Sequence, residues 1–508
     1  MGKCRKTFAR LLCIALSSML QACGTLETSS LALQERQSPL LEEIDNRSFD
    51  ACGGNGQESL AMKRTTGMAY GTVEAPSIET HLNRIKDRLL SAAGLKKCEA
   101  MVYLVPQQHY AAVSTADGGI FLPLGLVRDL ESDDEVAALI AHELAHVVLG
   151  HHQSDAYFES QKKLLNTGSK VAFAVAVVAS QGRASGQFGQ FLARNNVTHG
   201  ITETIVAPSW TRLQENEADM LGMDILIAAD YNKAGFFSLL QRMAVWEKKT
   251  QKLEDVTAKL SANFGNIMTE ASEDLDLTQA ENYDSLGNSL TKTSSRLIDS
   301  VATFGEGKAK QLGETHHPAT ERLEAIKAYT RKLHRDAGRP PLGTDAWRAV
   351  TAQGTGSAIL EAYASAAAAK RALDQDQPEK AAEFASASII AATRTHAYPR
   401  LAFYQVRKAQ NRTQKAELNL RIAMKNEKAP LAVYRTMAWL LVDKGSFPEA
   451  KQTVQLAMER LSNPPWFLPD AIAIMDRAGE QNQVRRLIAQ CEASNKEGLI
   501  TRCRAAGA

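Results

Sequence analysis

Three things are scarce in this chain of 508 residues, and each scarcity excludes something. Long apolar runs are missing. The stretch Leu11–Leu20 and the nine residues Val171–Ala179 both fall far short of the ~20 needed to span a bilayer, so a multi-span membrane protein is excluded. Charge of one sign is missing too: 59 Lys+Arg stand against 57 Asp+Glu. With Lys3, Arg5, Lys6 and Arg10 set aside as a removable leader, 55 basic residues face 57 acidic ones, and no global attraction to nucleic acid survives. Cysteines number seven, and none has metal-site spacing. The remainder, 44 % apolar and 23 % charged, is ordinary globular composition with length for two to four domains of roughly 150 residues.

The N-terminus reads as an address. A basic stretch, Lys3-Cys4-Arg5-Lys6, precedes the apolar run, and Leu20-Gln21-Ala22-Cys23 follows it. That tetrapeptide resembles the lipobox of bacterial lipoproteins, with Gln21 a less usual occupant. The resemblance implies a signal peptide over 1–22, lipidation of Cys23, and a polar tether to about residue 55. Several acyl chains anchor stably where one is marginal, and Gly24 after the cysteine implies the outer membrane. The expected location is the periplasm. In that oxidising compartment Cys52, Cys98, Cys491 and Cys503 are disulfide candidates; of three possible connectivities, proximity favours Cys52–Cys98 and Cys491–Cys503.

Helical spacing of apolar residues predicts a helix over 81–95, and short strands are expected at 100–105, 111–114 and 120–122, the last after an Asp117-Gly118-Gly119 turn. Ser132-Asp133-Asp134-Glu135 then supplies an N-cap and first-turn acids for a helix that carries His142-Glu143-Leu144-Ala145-His146. Two histidines at i and i+4 project from one helical face and can bind a single Zn²⁺. Glu143 is rotated about 100° from His142, close enough to reach a metal-bound water as general base without ligating the metal. Three polar side chains in an otherwise apolar, Ala-rich helix would be costly without a shared purpose. A third protein ligand is needed, and downstream lies Glu215-Asn216-Glu217-Ala218-Asp219. Glu215 and Asp219 share a helical face. Glu215 could reach the metal while Asp219 holds the outer nitrogen of a ligand histidine; the competing arrangement makes Glu217 the ligand.

HExxH followed some 70 residues later by ExEAD-x-x-G resembles the HtpX/BepA-like gluzincin metallopeptidases. In that family the first Glu of the second motif ligates zinc, which matches Glu215, and the Asp four residues on matches Asp219. A third signature appears as Thr315-His316-His317-Pro318 with Arg322 downstream; His317, before the proline, matches a histidine that occludes the metal or steadies the transition state. The histidine doublet leaves open which of the two approaches. The resemblance covers roughly residues 60–335 and implies a zinc peptidase domain over 56–340, with a polar insertion at 250–310 and a substrate strand pairing along the edge formed by 118–122.

After about Gly343 the chain becomes helical and Ala-rich, and a period appears. Ala381, Ala416, Ala450 and Val484 are equivalent centres at spacings of 35, 34 and 34 residues. That is the period of tetratricopeptide helical hairpins, which must stack to bury their apolar faces. The expected fold is α+β and mostly helical: a gluzincin domain with a small sheet, then an all-α repeat solenoid over 345–508. The expected activity is Zn²⁺-dependent cleavage of misfolded or misassembled envelope proteins, with Glu143 and His317 acting at the reaction and His142, His146 and Glu215 on one zinc. The repeats would dock protein substrates or the outer-membrane protein assembly machinery, and no nucleic-acid partner is expected. The alternative is a periplasmic chaperone or assembly factor with a latent protease site.

Overall fold

A computed structural model describes residues 36–44, 71–95, 98, 100–115, 118–153, 210–249, 318–494 and 497–507. Cys23, Cys52, the apolar run 171–179, the segment 250–310 and His317 lie outside the described residues. Among the described residues no helix is long and apolar enough to cross a membrane.

After the short α1 (Leu40–Ile44), the expected 81–95 helix is α2, Pro76–Ala92. It starts earlier than the apolar pattern suggests because Pro76 suits a first turn, where its missing N–H needs no partner. Strands β1 (Met101–Val105), β2 (Val113–Ser114) and β3 (Gly119–Pro123) form one sheet in the order β1-β3-β2, with β1 parallel and β2 antiparallel to β3. The strand after the Gly-Gly turn is therefore central, which corrects its expected place at the edge. All five of its residues are buried, and a strand with no polar face belongs between neighbours. The outer side of β1 is covered, since Val73 N–H donates to Leu104 C=O at 2.8 Å. Among the described strands, short β2 forms the other edge.

A short helix α3 (Leu124–Asp129) leads to α4, Asp133–Val148, capped as expected by Ser132, whose hydroxyl accepts from Glu135 N–H. The first-turn acids do more than oppose the helix dipole. Asp133 meets His81 Nε2 at 2.6 Å; Asp134 accepts from the backbone N–H of Asn232 and of Gly343, each at 2.7 Å; Glu135 accepts from Arg242 Nε at 3.0 Å. They fasten four segments to the start of one helix. Helix α5 (Arg212–Ala228) opens with a reciprocal capping box between Thr211 and Gln214. It crosses α4 so closely that a Cβ on Gly222 would lie 3.1 Å from the Cα and N of His142. A further helix, α6, runs from 234 through 249, and α7 spans Ala319–Leu333.

The change of composition near Gly343 is a packed seam. In α8 (Thr344–Thr351) the buried Trp347 donates from Nε1 to Leu130 C=O at 2.8 Å, and Gly343 C=O accepts from Asp133 N–H. Four helix pairs follow: α9 (Gly354–Asp374) with α10 (Pro378–Ala387), α11 (Ala397–Ala409) with α12 (Thr413–Ala423), α13 (Leu431–Asp443) with α14 (Phe447–Arg460), and α15 (Leu468–Arg477) with α16 (Gln481–Glu492). Every pair turns the same way. The middle residue of each turn, Asp376, Asn411, Gly445 or Gly479, has φ between 54° and 75°. The next residue donates its N–H to a carbonyl five residues back, as in Gln377 to Ala372 and Ser446 to Leu441, both 2.8 Å. Ala381, Ala416, Ala450 and Val484 occupy the fourth position of their helices, all buried. Helix α17 (Glu497–Ala506) closes the chain through a Cys491–Cys503 disulfide whose residues are both fully buried. The buried apolar residues of the tail continue the same core that fills the first half of the described chain. Cys98 is disulfide-bonded as well.

Candidate metal centre

The crossing of α4 and α5 builds the site. His142 and His146 stand one turn apart on the buried face of α4, with their Nε2 atoms 3.2 Å apart. Glu215, on the first turn of α5 and wholly buried, brings Oε1 to 3.5 Å from His146 Nε2 and Oε2 to 3.8 Å from His142 Nε2. These three residues are the one His/Cys/Asp/Glu group among the described residues with metal-holding geometry. Nitrogen and oxygen ligands at ~2.0–2.2 Å around a tetrahedral Zn²⁺ sit a little over 3 Å apart, so the triangle matches the ion.

The surroundings fit a dication. Glu143 is 1 % exposed, and its Oε2 finds no hydrogen-bond partner among the described residues. A buried carboxylate oxygen without a partner is costly unless it faces something that needs it; a water on the metal would be such a group. Asp219 Oδ1 lies 3.0 Å from His142 Nδ1. Arg322, on α7, donates to Asp219 from Nε (2.9 Å) and Nη2 (2.6 Å), and its Nη1 lies 3.1 Å from Glu215 Oε2. Burial alone would raise the Asp219 carboxyl, but the Arg322 guanidinium overrides it and holds the group below its ordinary value. Burial likewise opposes the Arg322 charge, and Asp219 and Glu215 more than compensate. Three buried carboxyl groups, Glu143, Glu215 and Asp219, thus surround one guanidinium, a donor set rich in oxygen that suits a divalent cation.

His146 is held differently. Burial drives it far below its ordinary value, with Glu215 only partly opposing, so it is the neutral imidazole that a metal requires. Its Nδ1 lies 2.8 Å from His151 Nδ1, and Trp210 stacks over its ring at 4.3 Å between centroids. His151 Nε2 in turn lies 3.4 Å from Glu217 Oε2. The structure therefore places Glu215 in the triangle and Glu217 behind His151. Beside Glu143 a pocket is walled by Tyr110, Ala112, Leu139, Phe236, Leu239 and Met243. Ala112 immediately precedes the edge strand β2.

The sequence reading brings together the triangle and Asp219 behind it, but not the roles of Arg322, His151 and Trp210. Arg322 sits on the buried stripe of α7 with Ala319, Leu323 and Ile326; a charge on an apolar stripe is a signal that a buried partner exists. His151, nine residues after His142, carries no periodic mark. Trp210 carries none either, because it reaches His146 from just ahead of a different helix.

The sequence profile of peptidase family M48 matches residues 76–330. The beta-barrel assembly-enhancing protease of Yersinia pestis is 25 % identical over 171 residues, 33 % of each chain. Metalloprotease LoiP of Escherichia coli (strain K12) is 22 % identical over 246 residues, 48 % of this chain and 89 % of that protein. The mitochondrial metalloendopeptidase OMA1 of Schizosaccharomyces pombe is 24 % identical over 186 residues, 36 % of this chain and 50 % of that protein. The chain thus spans about a third of the Yersinia protein and half of OMA1, but nearly all of LoiP.

Proposed function

The chain belongs to peptidase family M48, whose members are zinc-dependent, and from that premise we propose that it is an endopeptidase acting on misfolded or misassembled envelope proteins. The observation that carries this is the buried His142–His146–Glu215 triangle with the orphan Glu143 carboxylate beside it. Bound there, zinc supplies Lewis acidity to a water and to the scissile carbonyl. Glu143 takes the proton from the attacking water and returns it to the leaving amine. Asp219 fixes the His142 ring with Nε2 bare, and Arg322 keeps Asp219 ionised and holds Glu215 in place. The apolar pocket shields the reacting centre from water, while a substrate strand pairs along the β2 side of the sheet. His317, directly before the N-cap residue of α7, modulates access or steadies the developing oxyanion.

We assign the helix pairs to a tetratricopeptide-like solenoid that docks substrates or outer-membrane assembly partners. The recurring left-handed turn at intervals of 35, 34 and 34 residues supports it. The lipobox-like Leu20–Cys23 supports lipidation of Cys23 and a periplasmic address at the outer membrane, and the name of the Yersinia relative supports a role beside β-barrel assembly.

Casein digestion by the unaltered chain and by Glu143→Gln tests the reading. The variant should keep about one zinc per chain and lose at least ~10²-fold in cleavage rate. Equal cleavage by the two proteins would contradict it.

A further inference from the structure

The four helix pairs differ in one respect that their shared turns do not require. Residues 394–428, which hold the second pair α11–α12, carry nine basic side chains and two acidic ones. The other pairs are close to balance: three basic against five acidic over 354–388, four against three over 431–463, and three against four over 468–494. Four arginines of the second pair make a row along α11. Arg394 stands ahead of the helix, Arg400 and Arg407 lie two turns apart on it, and Arg412 follows the turn at its end. Neighbouring members touch: Arg400 Nε donates to Arg394 C=O at 2.7 Å, and Arg412 N–H donates to Arg407 C=O at 2.8 Å.

Among the described residues no carboxylate pairs with any of the four. Arg400, only 8 % exposed, donates from Nη1 to the neutral Asn419 Oδ1 at 2.8 Å. Arg407 donates from Nη1 to Gln410 Oε1 at 2.8 Å and lies over the Phe403 ring at 4.5 Å. Burial, and then the charge of the neighbouring arginine, holds both below their ordinary values: Arg394 acts on Arg400, and Arg412 on Arg407. The repeat itself has no use for these charges. Counted back from the left-handed residue of each turn, Arg407 corresponds to Ala372, Leu441 and Met475, and Arg400 to Ser365, Tyr434 and Leu468. Five of those six are buried apolar or aromatic residues. Cations set into such places beside other cations cost stability unless an anion joins them.

We propose that the arginine row of α11 is a docking site for a carboxylate-rich segment of a partner protein. It rests on the docking role assigned to the repeats above, and gives that role a surface and a chemistry. A guanidinium fork takes a carboxylate through two parallel hydrogen bonds, which suits acidic side chains. Arg400 and Arg407 are about 10 Å apart along the helix axis, the span of some three residues of extended chain, so one short acidic stretch engages both. Half-buried Phe403 lies between them and offers an apolar contact. The recessed Arg400 favours a protein over a bilayer: a carboxylate on a flexible side chain reaches it, whereas a flat layer of headgroups meets only Arg394 and Arg412.

The test is fluorescence anisotropy of labelled decaglutamate with the full chain, beside a Gly-Ser decapeptide. Decaglutamate should bind and the Gly-Ser peptide should not, with binding at least ~10-fold weaker at about 500 mM NaCl than at about 50 mM. Arg407→Met should weaken binding about 5- to 10-fold while the melting temperature holds or rises, since the fourth pair carries Met475 at this place. An arginine with a merely structural task would lower the melting temperature and leave binding alone. Arg394→Glu combined with Arg412→Glu, both exposed, should cost at least ~10-fold, and Arg486→Glu, exposed on α16, should change nothing. Should Arg407→Met fail to fold, the exposed pair decides. Decaglutamate that does not bind the folded chain, or binds the variants as tightly as the unaltered protein, would overturn the proposal. So would capture of phosphatidylglycerol vesicles or oligo-dT by these arginines in place of decaglutamate. In each of those cases, capture of reduced, amidomethylated lysozyme (a basic unfolded protein) by Glu143→Gln would leave the docking role of the repeats standing. Its failure would overturn that role as well.

Discussion

Around the metal centre the buried positions include Asp134, Glu135, His142, Glu143, His146, Glu215, Asp219, Asp224 and Arg322, whereas the four helix pairs fill their seams largely with alanine, valine and leucine. In the first region the buried charges other than Glu143 meet partners from distant sequence: Arg322 reaches back 103 residues to Asp219, and Asp134 reaches forward 209 to Gly343. In the second, the repeated turn bonds span five residues. One region is held by convergence of unique polar groups, the other by repetition of a local solution. Convergence makes a centre whose charge balance depends on every member. Repetition makes a scaffold in which each unit leans on its neighbours.

Two substitutions sharpen that contrast, and the larger effect belongs to the convergent half. Arg322→Met leaves Asp219 and Glu215 buried together without their cation. The metal-free chain should lose about 3–5 kcal/mol in denaturant unfolding, as for a broken buried ion pair. The loss should shrink with zinc bound, because the dication takes over part of the neutralisation. A loss below about 1 kcal/mol would show that the carboxylates are not held by Arg322. In the repetitive half, Gly445→Ala probes one turn. Its φ is +71° and a Cβ there meets no atom within 4 Å, so only the backbone conformation resists. About 1 kcal/mol is expected, with zinc content unchanged. A change in zinc content would break the division between the two regions.

The same contrast explains what the sequence makes legible. Ser132 as N-cap, the His142/Glu143/His146 face, the three strands and the 34-residue period are all local patterns, and each is readable from spacing alone. The repeat centres fall at the same position of four helices because identical turns impose it. The central place of β3 is less legible, since a fully buried run fits either a core strand or a covered edge until its neighbours are known. The choice between Glu215 and Glu217 stays open in sequence for a related reason. Both lie near the start of one helix, and only the crossing of α4 over Gly222 decides which faces the histidines. Arg322 and His151 are harder still. Their partners come from other elements, and nothing in their own neighbourhoods names them.

The most direct measurement is the zinc content of the purified full chain beside Glu215→Ala and Glu217→Ala, at saturating zinc followed by desalting. One zinc per chain in the unaltered protein and in Glu217→Ala, with none in Glu215→Ala, is the expected result. Zinc retained by Glu215→Ala, or absent from the folded unaltered chain after repletion, would contradict the assignment of the centre.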